Sequence, residues 1–265
     1  MKHAFYLILC LASLGIAIGQ KQARHKKQSI VLSKETLAFA LDIHGNVYVI
    51  DSKLHLIKRN AEGDTLRIIS VLNQGSQPIL DVSNPLEIFI YFASTGRVAW
   101  YDNQLNPGGT LDVFATGTNN IGGFGRANDG NIWLFDNNKG ILKRINREGE
   151  ILEESLMLQG QGTENSKIFD NGKEILVRTS EGLQVLSNNL ILLRTLRGNR
   201  STFGWNREQI LSCDSQCIYQ SKGALGMSED TLYCGVDGKK IVGGNHNYLG
   251  AADESGIILQ LYKKN

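Results

Sequence analysis

The chain has 265 residues, of which 42% are hydrophobic and 20% charged, with three prolines and a formal net charge of +2. This composition excludes a disordered chain, a fibrous protein and a strongly basic nucleic-acid-binding protein. The positive charge is concentrated at the front, because residues 28–265 carry 23 basic and 26 acidic side chains, a net of −3. The body is therefore mildly acidic and long enough for one large domain.

Residues 1–19 have the features of a cleaved export signal. A short polar head precedes the apolar run Ala4–Leu14, and Ala17–Gly19 offers a cleavage site with small residues. The run is shorter than the ~20 residues that a membrane-spanning helix needs, and the residues before Cys10 lack the small side chains expected ahead of a lipidated cysteine. We expect an exported mature chain without a transmembrane segment; an uncleaved anchor and a lipoprotein are the alternatives.

Residues 20–27 form a basic segment with Lys21, Arg24, Lys26 and Lys27. Such a cluster can attract nucleic acid or acidic lipid. Four charges on a chain terminus give only weak, salt-sensitive attraction, and a solvated terminus explains the composition equally well. We therefore expect a flexible tail and no nucleic-acid partner.

The stretch Asn131–Leu152 contains three apolar runs separated by two polar turns, which is the pattern of an antiparallel β-meander. The stretch Asn46–Ile69 repeats this pattern, with a Lys-Arg pair and a Glu-Gly turn at corresponding places. A module that occurs twice in one chain predicts a repeat architecture.

Six related apolar runs recur along the chain, 35 to 44 residues apart. They begin at Asn46, Glu87, Asn131, Glu174, Gln209 and Asn247. A period of about forty residues, with strand-type patterns and no sustained helical period, is typical of propeller blades. The sequence therefore predicts an all-β protein, a six-bladed β-propeller that occupies residues 28–265 as a single domain.

The two ends of the predicted domain complement each other. The last module consists of Asn247–Ala252 and Gly256–Tyr262 and lacks a fourth strand, while Gln28–Leu32 resembles a strand and belongs to no module. A ring of blades closes when a terminal strand completes the blade built by the other end, which removes unpaired edges. We expect Ser29–Leu32 to pair with Ile257–Tyr262 as the outer strand of the last blade; two three-bladed halves or a sandwich is the alternative.

Aromatic residues alternate along the runs that we expect to be innermost, and we interpret them as packing between neighbouring blades. They are Tyr48, Phe89, Tyr91, Trp133, Phe135 and Tyr248. Trp100 and Trp205 could instead lie at a face of the disc.

Three cysteines remain after the predicted signal: Cys213, Cys217 and Cys234. Cys213 ends one predicted strand and Cys217 begins the next, so the two can face each other across a hairpin. Because export favours oxidation, we predict a Cys213–Cys217 disulfide. A bond from Cys234 to either of the others, or three reduced thiols, is the alternative. No second cysteine pair or suitable histidine completes a zinc motif.

No catalytic motif stands out. The patterns G-x-S-x-G, H-E-x-x-H and the P-loop do not occur, and the glycine cluster Gly122–Gly125 precedes no predicted helix. His44 and His246 occupy one module position, where we assign both to turns. We expect no catalytic residue, no cofactor and no metal.

A calcium-dependent hydrolase is the enzymatic alternative. Six-bladed propellers include lactonases and esterases that hold calcium with Glu, Asn and Asp at the channel mouth, since calcium prefers oxygen ligands. The polar residues at module entrances here are Asp42, Asp81, Asn128, Asp129, Asp170 and Asn206. All are turn-forming residues at turn positions, so turn chemistry explains them.

Two resemblances to known families add to this interpretation. The runs D-G-N-I-W-L-F-D and H-G-N-V-Y-V-I-D resemble NHL-type six-bladed repeats, over residues 37–264. The second module contains the phrase Asp81-Val82-Ser83-Asn84-Pro85-Leu86 and closes with Asp102-Asn103. It resembles a family of small exported propellers of Bacteroidetes-type bacteria, similar to the periplasmic plug subunit of the type IX secretion translocon.

The second resemblance implies a non-enzymatic periplasmic propeller, peripheral to the outer membrane, that plugs or gates the translocon pore. Its partner would be an outer-membrane barrel or translocon protein. A free ligand-binding or sensor propeller is a further alternative. The candidate partner-binding residues are Asp81, Ser83, Asn84, Pro85, Trp100 and Tyr101.

Overall fold

The computed structural model describes residues 26–31, 36–163, 166–196, 202–206, 209–213, 217–222, 228–234, 240–244, 248–252 and 258–263. For the strands after residue 196, only the backbone is described. The described residues form 25 β-strands and two short 3-10 turns, Leu72–Gln74 and Phe114–Thr116. No helix in these ranges is long and apolar enough to cross a membrane. The predicted signal, residues 20–25, Arg207 and His246 lie outside them.

The first three sheets follow one another along the chain as antiparallel meanders. Sheet 1 contains β2 (Thr36–Leu41), β3 (Val47–Asp51), β4 (His55–Arg59) and β5 (Thr65–Ser70). Sheet 2 contains β6 (Pro78–Asn84), β7 (Glu87–Phe92), β8 (Arg97–Asp102) and β9 (Pro107–Asp112). Sheet 3 contains β10 (Ile121–Arg126), β11 (Ile132–Asp136), β12 (Ile141–Ile145) and β13 (Ile151–Glu154), and gains β14 (Ser166–Lys167) beside β10.

The described part of the chain forms three further sheets. Sheet 4 contains β15 (Phe169–Asp170), β16 (Glu174–Thr179), β17 (Gly182–Ser187) and β18 (Leu192–Leu196). Sheet 5 contains β19 (Thr202–Asn206), β20 (Gln209–Cys213), β21 (Cys217–Lys222) and β22 (Ser228–Cys234). Sheet 6 contains β23 (Lys240–Gly244), β24 (Tyr248–Ala252) and β25 (Ile258–Lys263), with β1 (Lys26–Val31) as its outer strand.

The predicted apolar runs form the second strand of each sheet, and in sheets 1 to 4 these strands are the most buried. Continuous apolar runs of this length are typical of strands covered on both faces. Tyr48, Phe89, Tyr91, Trp133 and Phe135 are all buried, as their assignment to packing predicts. Only the backbone of Tyr248 and Trp205 is described, so their packing stays a prediction.

The strands that contact neighbouring sheets most are the ones that precede the apolar runs, and not the apolar runs themselves. β2 lies beside β6, β6 beside β10, β10 beside β15, β19 beside β23, and β23 beside β2. These first strands also carry aromatic residues, such as the buried Phe124 of β10, which stacks on Tyr91 of β7.

The first and last described strands pair with each other. β1 runs antiparallel to β25, with Ser29 opposite Gln260 and Ile30 opposite Leu259. Ile30 is buried and packs in one cluster with Val47 and Val49 of sheet 1. The pairing extends to Lys26, so the strand begins within the segment that the sequence assigned to a flexible tail.

Candidate functional site

Asp81 is a buried carboxylate in β6 that contacts residues of sheets 2 and 3. Its Oδ1 accepts a hydrogen bond from the backbone N–H of Ser83 at 2.8 Å and lies 3.1 Å from Nζ of Lys167 in β14. Its Oδ2 accepts the backbone N–H of Arg126 in β10 at 3.0 Å. Burial by itself would raise the pKa of Asp81, but Lys167 and the backbone donors outweigh it, so the pKa is lowered. The carboxylate therefore stays charged and ties neighbouring sheets together.

Asp42 directly follows β2 in sheet 1 and organises the turn after that strand. Its Oδ1 accepts the backbone N–H groups of His44 and Asn46, both at 2.9 Å. The side-chain amide of Asn46 and the hydroxyl of Tyr48 donate to Oδ2. Burial raises the pKa of Tyr48, and the adjacent Asp42 carboxylate raises it further. His44 thus serves a turn, as the sequence predicts.

Asp170 ends β15 in sheet 4 and bonds back to sheet 3. Its Oδ2 accepts the indole N–H of Trp133 at 2.8 Å and the backbone N–H of Asn128 at 3.0 Å. Its Oδ1 accepts the backbone N–H of Gly172 at 2.7 Å. Carboxylates from the two neighbouring sheets thus bond the backbone of sheet 3, because Asp81 accepts the N–H of Arg126 and Asp170 accepts the N–H of Asn128.

These three carboxylates therefore bind the protein's own donors. Within the described ranges, no three His, Cys, Asp or Glu side chains converge on a point that could hold a metal ion. The module-entrance residues of sheets 1, 2 and 4 carry out the structural work of turns and junctions between sheets.

The glycine cluster of β10 allows a close junction between sheets 3 and 4. β14 pairs in parallel with β10, with Gly123 opposite Ser166. The backbone N–H of Ile168 donates to the carbonyl of Phe124 at 2.7 Å. A Cβ on Gly125 would overlap the carbonyl oxygen of Ile168. The sequence reasoning excluded a nucleotide site here but missed this role, because nothing in the local pattern shows which strand approaches.

Lys143 is a second buried ion that sequence reasoning missed. Its Nζ lies 2.7 Å from Oδ2 of Asp136 and donates to the hydroxyl of Thr118 at 3.0 Å. Asp51, at the same position of sheet 1, pairs with His55 instead, with Nδ1 and Oδ2 3.0 Å apart. The sequence did carry a signal for such pairs, because the apolar run ends in an aspartate in both modules, Asp51 and Asp136.

Trp100 and Tyr101, two of the candidate partner-binding residues, lie in β8 and are buried. They are only 9% and 5% exposed. Trp100 stacks on Phe89 with 5.9 Å between the ring centroids. The guanidinium of Arg147 lies 5.3 Å from the centroid of the Trp100 ring. Because β8 lies between two other strands of sheet 2 and both faces of that sheet are covered, adjacent residues are both buried. The two residues therefore present little surface to a partner.

The loop between β6 and β7 is the exposed part of the predicted partner-binding motif. Ser83 is exposed, Asn84 and Pro85 are half-buried, and Leu86 is 68% exposed. The backbone N–H of Leu86 donates to Oδ1 of Asn84 at 3.0 Å. Together with the bond from Ser83 to Asp81, this contact holds the loop in one conformation and presents an apolar side chain at its tip.

A cavity of about 490 Å³ lies beside the first strands of sheets 1 and 2. The described residues that line it are Leu37, Ser76, Gln77, Pro78 and Ile79. None of these side chains is ionisable, so this part of the wall offers no general acid or base.

Comparisons with known proteins identify the fold. No protein-family model matches the sequence, and no curated protein matches it. A solved streptogramin B lyase is similar with a TM-score of 0.61 at 13% identity, covering 91% of this chain and 88% of that one.

Two further solved structures agree with this result. A catalytically inactive virginiamycin B lyase from Staphylococcus aureus, with quinupristin, has a TM-score of 0.60 at 12% identity, covering 91% of this chain and 100% of that one. A structural genomics protein from Bacteroides thetaiotaomicron has a TM-score of 0.61 at 10% identity, covering 89% and 72%. At such identities the likeness concerns the fold alone, and the chain has a β-propeller-like all-β fold.

Proposed function

We propose that this chain is a closed six-bladed propeller that acts, after export, as a non-enzymatic binding subunit of an outer-membrane protein complex. The closed ring is supported by the six described sheets, by the pairing of β1 with β25, and by the contact of β23 with β2. A rigid scaffold of sheets with variable loops makes binding surfaces without catalytic residues.

The observation that carries the binding role is the braced loop at Ser83–Leu86. Leu86 projects from a turn that Asp81 and Asn84 hold by hydrogen bonds. A loop that is ordered before binding loses little conformational entropy when a partner covers it. An exposed leucine at its tip offers apolar area to a pocket on that partner.

A non-enzymatic role is supported by the use of the carboxylates. A calcium-dependent hydrolase would need free oxygen ligands at the module entrances. Asp81 and Asp170 are instead bonded to backbone N–H groups, to Lys167 and to the indole of Trp133. These bonds hold the sheets together, and a metal could take the oxygens only by breaking them.

The partner that we propose is the barrel of the type IX secretion translocon, whose periplasmic mouth the propeller would plug or gate. The support is the phrase Asp81–Leu86 and the predicted export signal. Many loop contacts from a rigid disc can cover a wide opening while each contact stays weak.

The test is affinity purification of the tagged chain from detergent-solubilised envelopes of its native host. We expect a large outer-membrane barrel to co-purify in amounts comparable to the chain. Recovery of the chain alone, as a monomer whose melting temperature rises with calcium, would overturn the proposal in favour of the hydrolase.

A further inference from the structure

The backbone register of sheet 5 brings two of the three mature cysteines to directly opposite positions. β21 runs antiparallel to β22, with Cys217 opposite Cys234 and Ile218 opposite Tyr233. Opposite residues of an antiparallel pair have Cα atoms about 4.5 to 5.5 Å apart. That interval lies within the range of about 4.4 to 6.8 Å over which disulfides bridge two residues.

The same register separates Cys213 from Cys217. β20 pairs with β21 so that Cys213 is opposite Ile218. Successive residues of a strand occupy alternate faces of a sheet, so Cys213 shares a face with Ile218, and Cys217 is on the other face. Cys217 shares its face with Cys234. We propose that Cys217 and Cys234 form a disulfide that joins the outer two strands of sheet 5, while Cys213 remains a thiol.

The bond forms by thiol–disulfide exchange. The thiolate of one cysteine attacks a sulfur of an external disulfide, and the other cysteine then displaces that sulfur from the mixed disulfide. The two cysteines lose two electrons and two protons, and the external disulfide is reduced to two thiols. The oxidant is a glutathione-type or thiol-oxidoreductase disulfide, which an oxidising compartment supplies. The inference does not depend on the proposed partner.

Peptide mapping of the full chain tests the connectivity. The folded chain is reduced, incubated with oxidised glutathione, alkylated and digested with trypsin without reduction. Cleavage after Arg207, Lys222 and Lys239 places Cys213 and Cys217 on one peptide and Cys234 on the next. A Cys217–Cys234 bond therefore joins two peptides, whereas a Cys213–Cys217 bond lies within one.

We expect the joined peptides in the native chain, with Cys213 alkylated, and the same joined peptides in the Cys213→Ser variant. Fragmentation of the joined pair from the native chain assigns the bonded cysteine without any variant. A bond within peptide 208–222, a bond from Cys213 to Cys234, or alkylation of all three cysteines after oxidation would each overturn the proposal.

Discussion

Lys167 and Asp81 form an ion pair between two strands that are 86 positions apart in the chain, with Nζ 3.1 Å from Oδ1. Asp81 belongs to sheet 2 and Lys167 to β14, which is a strand of sheet 3 that continues into sheet 4. The carboxylate is buried, whereas the ammonium group keeps some contact with solvent. The pair therefore connects successive sheets at a point where solvent screening is weak.

Removal of the Asp81 charge should destabilise the fold. Asp81→Asn keeps the size of the side chain but leaves Lys167 without its anion, and we expect a loss of about 3 kcal/mol in the free energy of unfolding. Denaturant unfolding measures it. Glu153→Gln is the control, since Glu153 pairs with Arg144 at 2.7 Å but is far more exposed; we expect a change below about 1 kcal/mol. Equal losses would contradict a special role for the buried pair.

Stability should fall in acid partly through Asp81. Its pKa is lowered in the folded protein, while in the unfolded chain it lies at about 3.9. The stabilisation is therefore complete above pH of about 4 and is lost as the pH falls through the folded pKa below that value. The unfolding free energies of the native chain and Asp81→Asn should differ by a constant amount from pH of about 5 to 7 and converge below about 4. A difference that stays constant into acid would contradict this assignment.

The sequence was sufficient to predict the buried strands, but it was not sufficient to predict which sheets contact each other. Apolar runs such as Ile132–Asp136 predict buried strands because the pattern of one strand records its own burial. The tight junction at Gly125 could not be predicted, since the approaching carbonyl belongs to Ile168, more than forty residues later. The burial of Trp100 could not be predicted for the same reason, because its covering group, Arg147, comes from the next sheet. Local patterns do not specify which sheet covers which face.

Gly125→Ala should strongly destabilise the junction between sheets 3 and 4. A Cβ at this position meets backbone, which cannot move aside as a flexible side chain can, and we expect a loss of about 3 kcal/mol. Gly117→Ala is the control, because a Cβ there meets nothing within 4 Å. An alanine at the positive φ of 81° found at Gly117 should cost only about 1 kcal/mol of backbone strain. Thermal unfolding compares the two, and a smaller shift for Gly125→Ala would contradict the close approach.

Arg147 should stabilise the contact between sheets 2 and 3 through its guanidinium group. This group lies 5.3 Å from the ring centroid of Trp100 and 2.7 Å from Oε1 of Glu87. Arg147→Met keeps the aliphatic stem, so the expected loss of about 1 to 2 kcal/mol reports the charge. The fluorescence of Trp100 should change with it. Arg97→Met, which loses one long hydrogen bond to the carbonyl of Asn73, should cost less than about 1 kcal/mol and leave the fluorescence unchanged.

Leu86 should be required for binding of the proposed partner and dispensable for folding. Its side chain is largely exposed, so Leu86→Glu removes apolar contact area from the complex with little effect on the core. We expect at least a tenfold weaker recovery of the barrel, equivalent to about 1.4 kcal/mol of binding free energy, at an unchanged melting temperature.

Met157→Glu is the matched control for this prediction. Met157 is 78% exposed but lies on the connection between β13 and β14, far along the chain from the braced loop. Because both variants add one negative charge at an exposed apolar site, a general effect of charge on recovery would be the same in both. If the barrel co-purified with the Leu86→Glu variant but not with the Met157→Glu variant, the Ser83–Leu86 loop would not be the binding surface. That outcome would leave the conclusion about the fold unchanged.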